Sequence, residues 1–190
     1  AVIDECGICG GDGSSCDGTL LVPSEYSTIQ SAIDAASEGD EVLVSAGTYY
    51  ENINFNGKNI SVIGEDRETT IIDGGGNGSV VIIESEGDSS TILDGFTIQN
   101  GSNNLGAGIY CDSPNTTLTN LIVTQNSAGI RGGGIYIIYS NLSLNNIIVN
   151  SNETGSGGGG IYIQDSHAEL TNIQVINNYA DSGHGAGILI

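Results

Sequence analysis

The sequence predicts an all-β chain wound into a parallel β-helix, a solenoid with coils of about 26 residues and a short helix closing its N-terminal end. Three observations carry this. The segments GAGIYCDSPNTTLTNLIVTQN (106–126), GGGIYIIYSNLSLNNIIVNSN (132–152) and GGGIYIQDSHAELTNIQVINN (158–178) repeat one another, and a fourth copy opens with GAGILI and reaches Ile190. Their aligned isoleucines Ile109, Ile135, Ile161 and Ile188 recur at a nearly constant step. Units of that size cannot bury a core alone and must stack. The repeats are built from Ile, Val, Thr, Tyr, Asn and Gly, which suit strands and turns and set helical solenoids aside. A leucine-rich repeat has a shorter period and a different leucine spacing.

Residues 1–18, AVIDECGICGGDGSSCDG, differ from all that follows: they hold three of the four cysteines and have little to bury. The pattern Cys6-x-x-Cys9-x6-Cys16 suits zinc, a disulfide or an acidic calcium loop. Zinc wants four ligands and the nearest histidine is His167, so a disulfide among Cys6, Cys9 and Cys16 in an exported protein is the better reading. The segment resembles the DECGVCGGDGSSC-type units of large secreted proteins, over about 14 residues. That resemblance implies a junction between modules, stabilised by Ca²⁺. Asp4, Glu5, Asp12 and Asp17 are the candidate ligands, although they lack the spacing of an EF-hand.

From Thr19 onward the chain is read as the solenoid, 19–190. Ser27 or Thr28 can cap a helix over about 27–37 whose Ile29, Ala32, Ile33 and Ala36 share one face, with Gly39 as its stop. Such a helix hides the open first coil. Val42–Val44, Ile53–Phe55, Ile60–Ile63 and Ile71–Ile72 follow as short strands. Tyr26–Ala36, Gly39-Asp40-Glu41-Val42, Gly47-Thr48-Tyr49, Gly57-Lys58-Asn59-Ile60 and Thr70-Ile71-Ile72-Asp73-Gly74 resemble the N-terminal region of the pectin lyase-like group of right-handed parallel β-helix proteins. With the Gly-Gly-Ile-Tyr repeats, the resemblance covers most of residues 22–190. It implies the fold and its right hand. It does not fix an activity, because the group includes lyases, hydrolases, esterases, adhesins and inert stalks.

In the clear repeats, 106–190, alternation sets the direction of each side chain. Ile109, Ile135, Ile161 and Ile188 face inward with Cys111, Ile137, Ile163 and Ile190, so Cys111 is expected as a buried, reduced thiol. Leu118, Leu144 and Leu170 form a second inward column. Leu121, Ile147 and Ile173 with Val123, Val149 and Val175 form a third. Two amide columns, Asn120/Asn146/Asn172 and Asn126/Asn152/Asn178, are read as structural ladders. Tyr110, Tyr136 and Tyr162 face outward as an aromatic stripe that suits sugar rings, another protein, or an ordinary solvent-facing ladder.

Three basic residues against 23 acidic ones give a net charge of −20, which argues against nucleic acid and anionic membrane as partners and for cations. No apolar run is long enough to span a bilayer. Sequons at Asn59, Asn77, Asn100, Asn115, Asn141 and Asn152 are consistent with export, with Asn77, Asn115 and Asn152 expected in turns. No catalytic constellation is complete. Lys58, Arg67 and Arg131 read as turn residues; Asp112 and Asp165 stand two coils apart; His184 in Gly183-His184-Gly185 lacks the companion elements of polygalacturonases; His167 reads as exposed. The chain is therefore expected to be a non-enzymatic, extracellular structural or adhesive module, calcium-stabilised, part of a surface protein or head-to-tail filament. The open coil at Ile188-Leu189-Ile190 is expected to be covered by further coils or by another copy of the chain. The alternative is a carbohydrate-binding or polysaccharide-cleaving β-helix with its groove in further coils.

Overall fold

Short runs rich in β-branched residues stack on their counterparts one coil away rather than on their sequence neighbours. The computed structural model describes residues 18–85, 90–113, 115–182 and 184–190. Asp4, Glu5, Asp12, Asp17, Cys6, Cys9 and Cys16 lie outside the described residues. Every ladder between the named strands is parallel, which makes the chain a parallel β-helix. One face is a six-stranded sheet whose members include Ile53–Asn54, Val81–Glu84, Ile109–Asp112, Ile135–Ile138, Ile161–Gln164 and Ile188–Leu189. The other two faces join into one 11-stranded sheet, because Asn141–Asn150 and His167–Ile176 run unbroken through the corner between them. A four-stranded ladder that includes Ser102–Leu105 and Ser127–Arg131 edges the turn that leads back to the first face.

The inward columns form the core. Ile109, Cys111, Leu118, Leu121, Val123, Ile135, Ile137, Leu144, Ile147 and Val149 are all fully buried. Each large one contributes about 2 kcal/mol on burial. Cys111 is a free thiol. Burial, above all, pushes it up to about 11, against opposing hydrogen bonds from Thr116 and Ser140. In the last coil the same columns open to solvent, with Leu170 and Ile190 at 39 and 87 % exposure.

The amide columns are hydrogen-bonded ladders. Asn126 Nδ2 donates to Asn152 Oδ1 at 2.9 Å, and Asn152 Nδ2 to Asn178 Oδ1 at 3.0 Å. At the corner, Asn146 donates to Asn120 at 2.7 Å and Asn120 to Asp94 at 2.8 Å. Asn120, Asn146 and Asn172 each turn the chain with φ between 50° and 54°, a left-handed conformation that asparagine tolerates. Because Asn152 sits inside this ladder at 1 % exposure, its sequon is not in an open turn as expected.

The cap is a helix of seven residues, Ile29–Ala35, shorter than the expected 27–37. Thr28 caps its start, and Glu51 accepts the free amides of Ile29 and Gln30 at 2.9 Å each. At the other end Lys58 Nζ donates to the carbonyls of Ile33, Asp34 and Ala36 at 2.7–2.8 Å. That ammonium takes the last carbonyls, so the helix stops at Ala36. Gly39 instead turns the following loop at φ 88°.

Candidate functional site

The outer side of the six-stranded face carries two columns. Register pairs Ile82, Tyr110, Tyr136, Tyr162 and Leu189 in one, and Glu84, Asp112, Ile138 and Gln164 in the other. Glu84 and Asp112 are thus direct neighbours on adjacent strands, about 4.8 Å apart at the backbone. With Gly57 and Ser85 they line an open cleft of about 510 Å³. Its floor is pinned by backbone and hydroxyl contacts. Ser85 N–H donates to Asp112 O at 3.1 Å, and the Ser85 and Ser113 hydroxyls are 2.6 Å apart. Ser113, fully buried, donates its amide to Ser140 Oγ at 3.1 Å. The two carboxylates are also felt by Tyr110: burial raises its hydroxyl above the ordinary value, and the charges of Asp112 and Glu84 raise it further.

Of the readings that sequence left open for the tyrosines, the stacking matches a side-chain ladder. Tyr110 and Tyr136 stack with centroids 5.6 Å apart and planes 13° apart; Tyr136 and Tyr162 stack at 5.4 Å and 8°. Their faces are spent on one another, and Tyr136 is only 3 % exposed. One strand spacing is too close to admit a sugar ring between them. Gly132 and Gly158, both at φ 64°, curl the preceding turn tightly over Tyr136 and Tyr162; a Cβ on either would stand 2.7–2.8 Å from those side chains. This fold-back brings the Arg131 guanidinium 4.9 Å above the Tyr162 ring. Arg131 Nη1 also donates to Gln164 Oε1 at 3.2 Å, which accepts from the Tyr136 hydroxyl at 3.3 Å.

The other candidates scatter. Lys58 is consumed by the helix, and Arg67 Nη1 donates to Asn146 O at 3.0 Å across the amide corner. Asp165, exposed at φ 46°, accepts from Gln164 Nε2 and is not brought to Asp112. His167 lies exposed in the column of Asn141, and His184 bridges Gly157. Among the described residues no three His, Cys, Asp or Glu side chains gather as a metal site. Sequence reading missed Glu84 because the repeat was aligned from residue 106. The signal was present in Val81-Ile-Ile-Glu84, which aligns with Ile109-Tyr-Cys-Asp112 at an offset slightly longer than the period of the later coils.

No family model matches the chain, and no curated protein matches it. Among solved structures its fold is similar to that of a pectin methylesterase from carrot, with a TM-score of 0.50 and 17 % identity. The match covers 80 % of this chain and 62 % of that one, so the chain spans less than two thirds of that enzyme's length. At this identity the likeness shows the parallel β-helix fold. It also overturns the expectation of a non-enzyme, since the structure matched is that of an enzyme. A structural or adhesive role finds no support in it.

Proposed function

We propose that the chain is an extracellular, carbohydrate-processing β-helix that acts on a pectin-type glycan at the Glu84–Asp112 cleft. The observation that carries this reading is the pairing of those two carboxylates on adjacent strands of the six-stranded face, where both line one cleft. Two carboxyl groups at that spacing divide the work of hydrolysis. One carboxylate takes a proton from the water that adds to an ester carbonyl, and the pair then delivers that proton to the departing methoxide, which leaves both groups as they began. The ester and water become a sugar carboxylic acid and methanol. The fold likeness favours the ester over the glycosidic bond as the point of attack.

The test is methanol release from methyl-esterified pectin, with reducing ends measured in parallel. Methanol should appear without new reducing ends. Glu84→Gln and Asp112→Asn should each lower the rate by about 100-fold or more, with unchanged melting temperatures. Rates in both variants equal to the parent, or no methanol from pectin of any degree of esterification, would sink the reading.

A further inference from the structure

Among the chain's basic residues, the structure singles out Arg131 as the one placed to meet a substrate. Lys58 has three backbone carbonyls and Arg67 is bonded on the amide corner. Arg131, at the end of Ser127–Arg131 in the four-stranded ladder, alone lays its side chain onto the six-stranded face that holds the cleft. It is half-buried, lies over Tyr162, and its hydrogen-bond partner there is the neutral Gln164. A guanidinium lodged over a ring, with one N–H bonded to Gln164, has further N–H groups of the kind that pair with a carboxylate.

We infer that Arg131 is a specificity-determining residue that holds the free carboxylate of a sugar acid, while the unit at Glu84 and Asp112 is uncharged. This rests on the function proposed above and deepens it. Register sets the distance: from Asp112 the column passes Ile138 and reaches Gln164 two strands on, about 10 Å along the solenoid, or about two sugar units. The electrostatics set the polarity. Two carboxylates at one end repel an anionic sugar, and in a chain of net charge −20 Arg131 is the local exception. The face therefore selects a chain with an ester-capped unit in the cleft and a de-esterified unit toward Arg131. A fully de-esterified chain is rejected at the cleft. A fully esterified one forfeits the ion pair.

The experiment compares initial rates on oligogalacturonates that are fully methyl-esterified and ones that carry a single free carboxylate. The parent should prefer the singly charged oligomers by about tenfold in kcat/KM, carried by KM, and salt at about 0.5 M should shrink the preference. Arg131→Gln should erase the preference and Arg131→Lys should keep part of it. A preference that survives in Arg131→Gln overturns the inference while leaving the esterase reading intact. If no substrate is turned over, the esterase reading fails by itself. The inference then stands or falls on binding of the same oligomers to the parent and to Arg131→Gln. Equal affinity for both oligomers in the parent would end it.

Discussion

The two ends of the solenoid are held by different chemistry. At the N-terminal end the contacts are charged and each occurs once. Glu51 takes the helix amides, Lys58 takes its last carbonyls, and Asp73 gathers Gly75 N–H, Gln99 and Asn100 into one turn. In the repeat coils the main ladders are neutral and recur from coil to coil, as in Asn126, Asn152 and Asn178 or the stacked tyrosines, with Arg131 over Tyr162 as a charged exception. Where the sequence repeats, identical side chains one strand apart can pair with each other, so a single neutral bond is multiplied without accumulating charge. Where the helix interrupts the repeat there is no identical neighbour, and exposed peptide groups recruit ions instead. Sensitivity to acid and salt should therefore sit at the N-terminal end.

The comparison breaks most sharply at Asn152. Its amide donates to Val123 O, Asn150 O and Asn178, and accepts from Asn126. Asn152→Ala strands several buried groups at once and should cost about 3–4 kcal/mol in urea unfolding, with little dependence on pH between 4 and 8. A loss below about 1 kcal/mol would mean that the ladder is decoration. Lys58→Met should cost less, about 2 kcal/mol, because Lys58 is only half-buried and water can take over part of its bonding to the three carbonyls. Hydrogen exchange should show the damage confined to Ile29–Ala36, with the ladder amides still protected; loss of protection throughout would erase the distinction between the two ends.

Asp73 gives the smallest effect and the clearest pH signature. Burial pushes its carboxyl upward, but hydrogen bonds from Gln99, the Gly75 amide and Asn100 together hold it below the usual carboxylate value. A carboxyl lowered in the folded state contributes stability above about pH 4, its unfolded value, and loses it as pH falls through the folded one. The parent should exceed Asp73→Asn by about 1 kcal/mol at pH 7, and the gap should close as pH drops toward 2. A gap that stays constant with pH would remove the charge from the account.

Much of the repeat region was legible because its signals are local and periodic. The inward places of Ile109, Cys111, Leu118 and Val123 follow from alternation within a strand, and the two asparagine columns follow from the period. The helix was legible from its apolar face. Its end was not, since Lys58, 22 to 25 residues onward, decides where the carbonyls stop pairing with the helix. The tyrosine column was placed correctly, but not what it leaves open. Alternation says that a ring points outward; only the 5.4–5.6 Å spacing of neighbouring rings says that its faces are closed.

By itself, then, the sequence determined the coil, its period, its inward columns and the neutral ladders, because each depends on residue type repeated at a fixed interval. The tertiary structure decided the Glu84–Asp112 pair, the Arg131 perch over Tyr162 and the clamps on the helix. All three join segments whose separation departs from the period of the clear repeats. In a parallel ladder the register between such segments is set by how their inward side chains share one core, a condition that no single stretch of the chain contains.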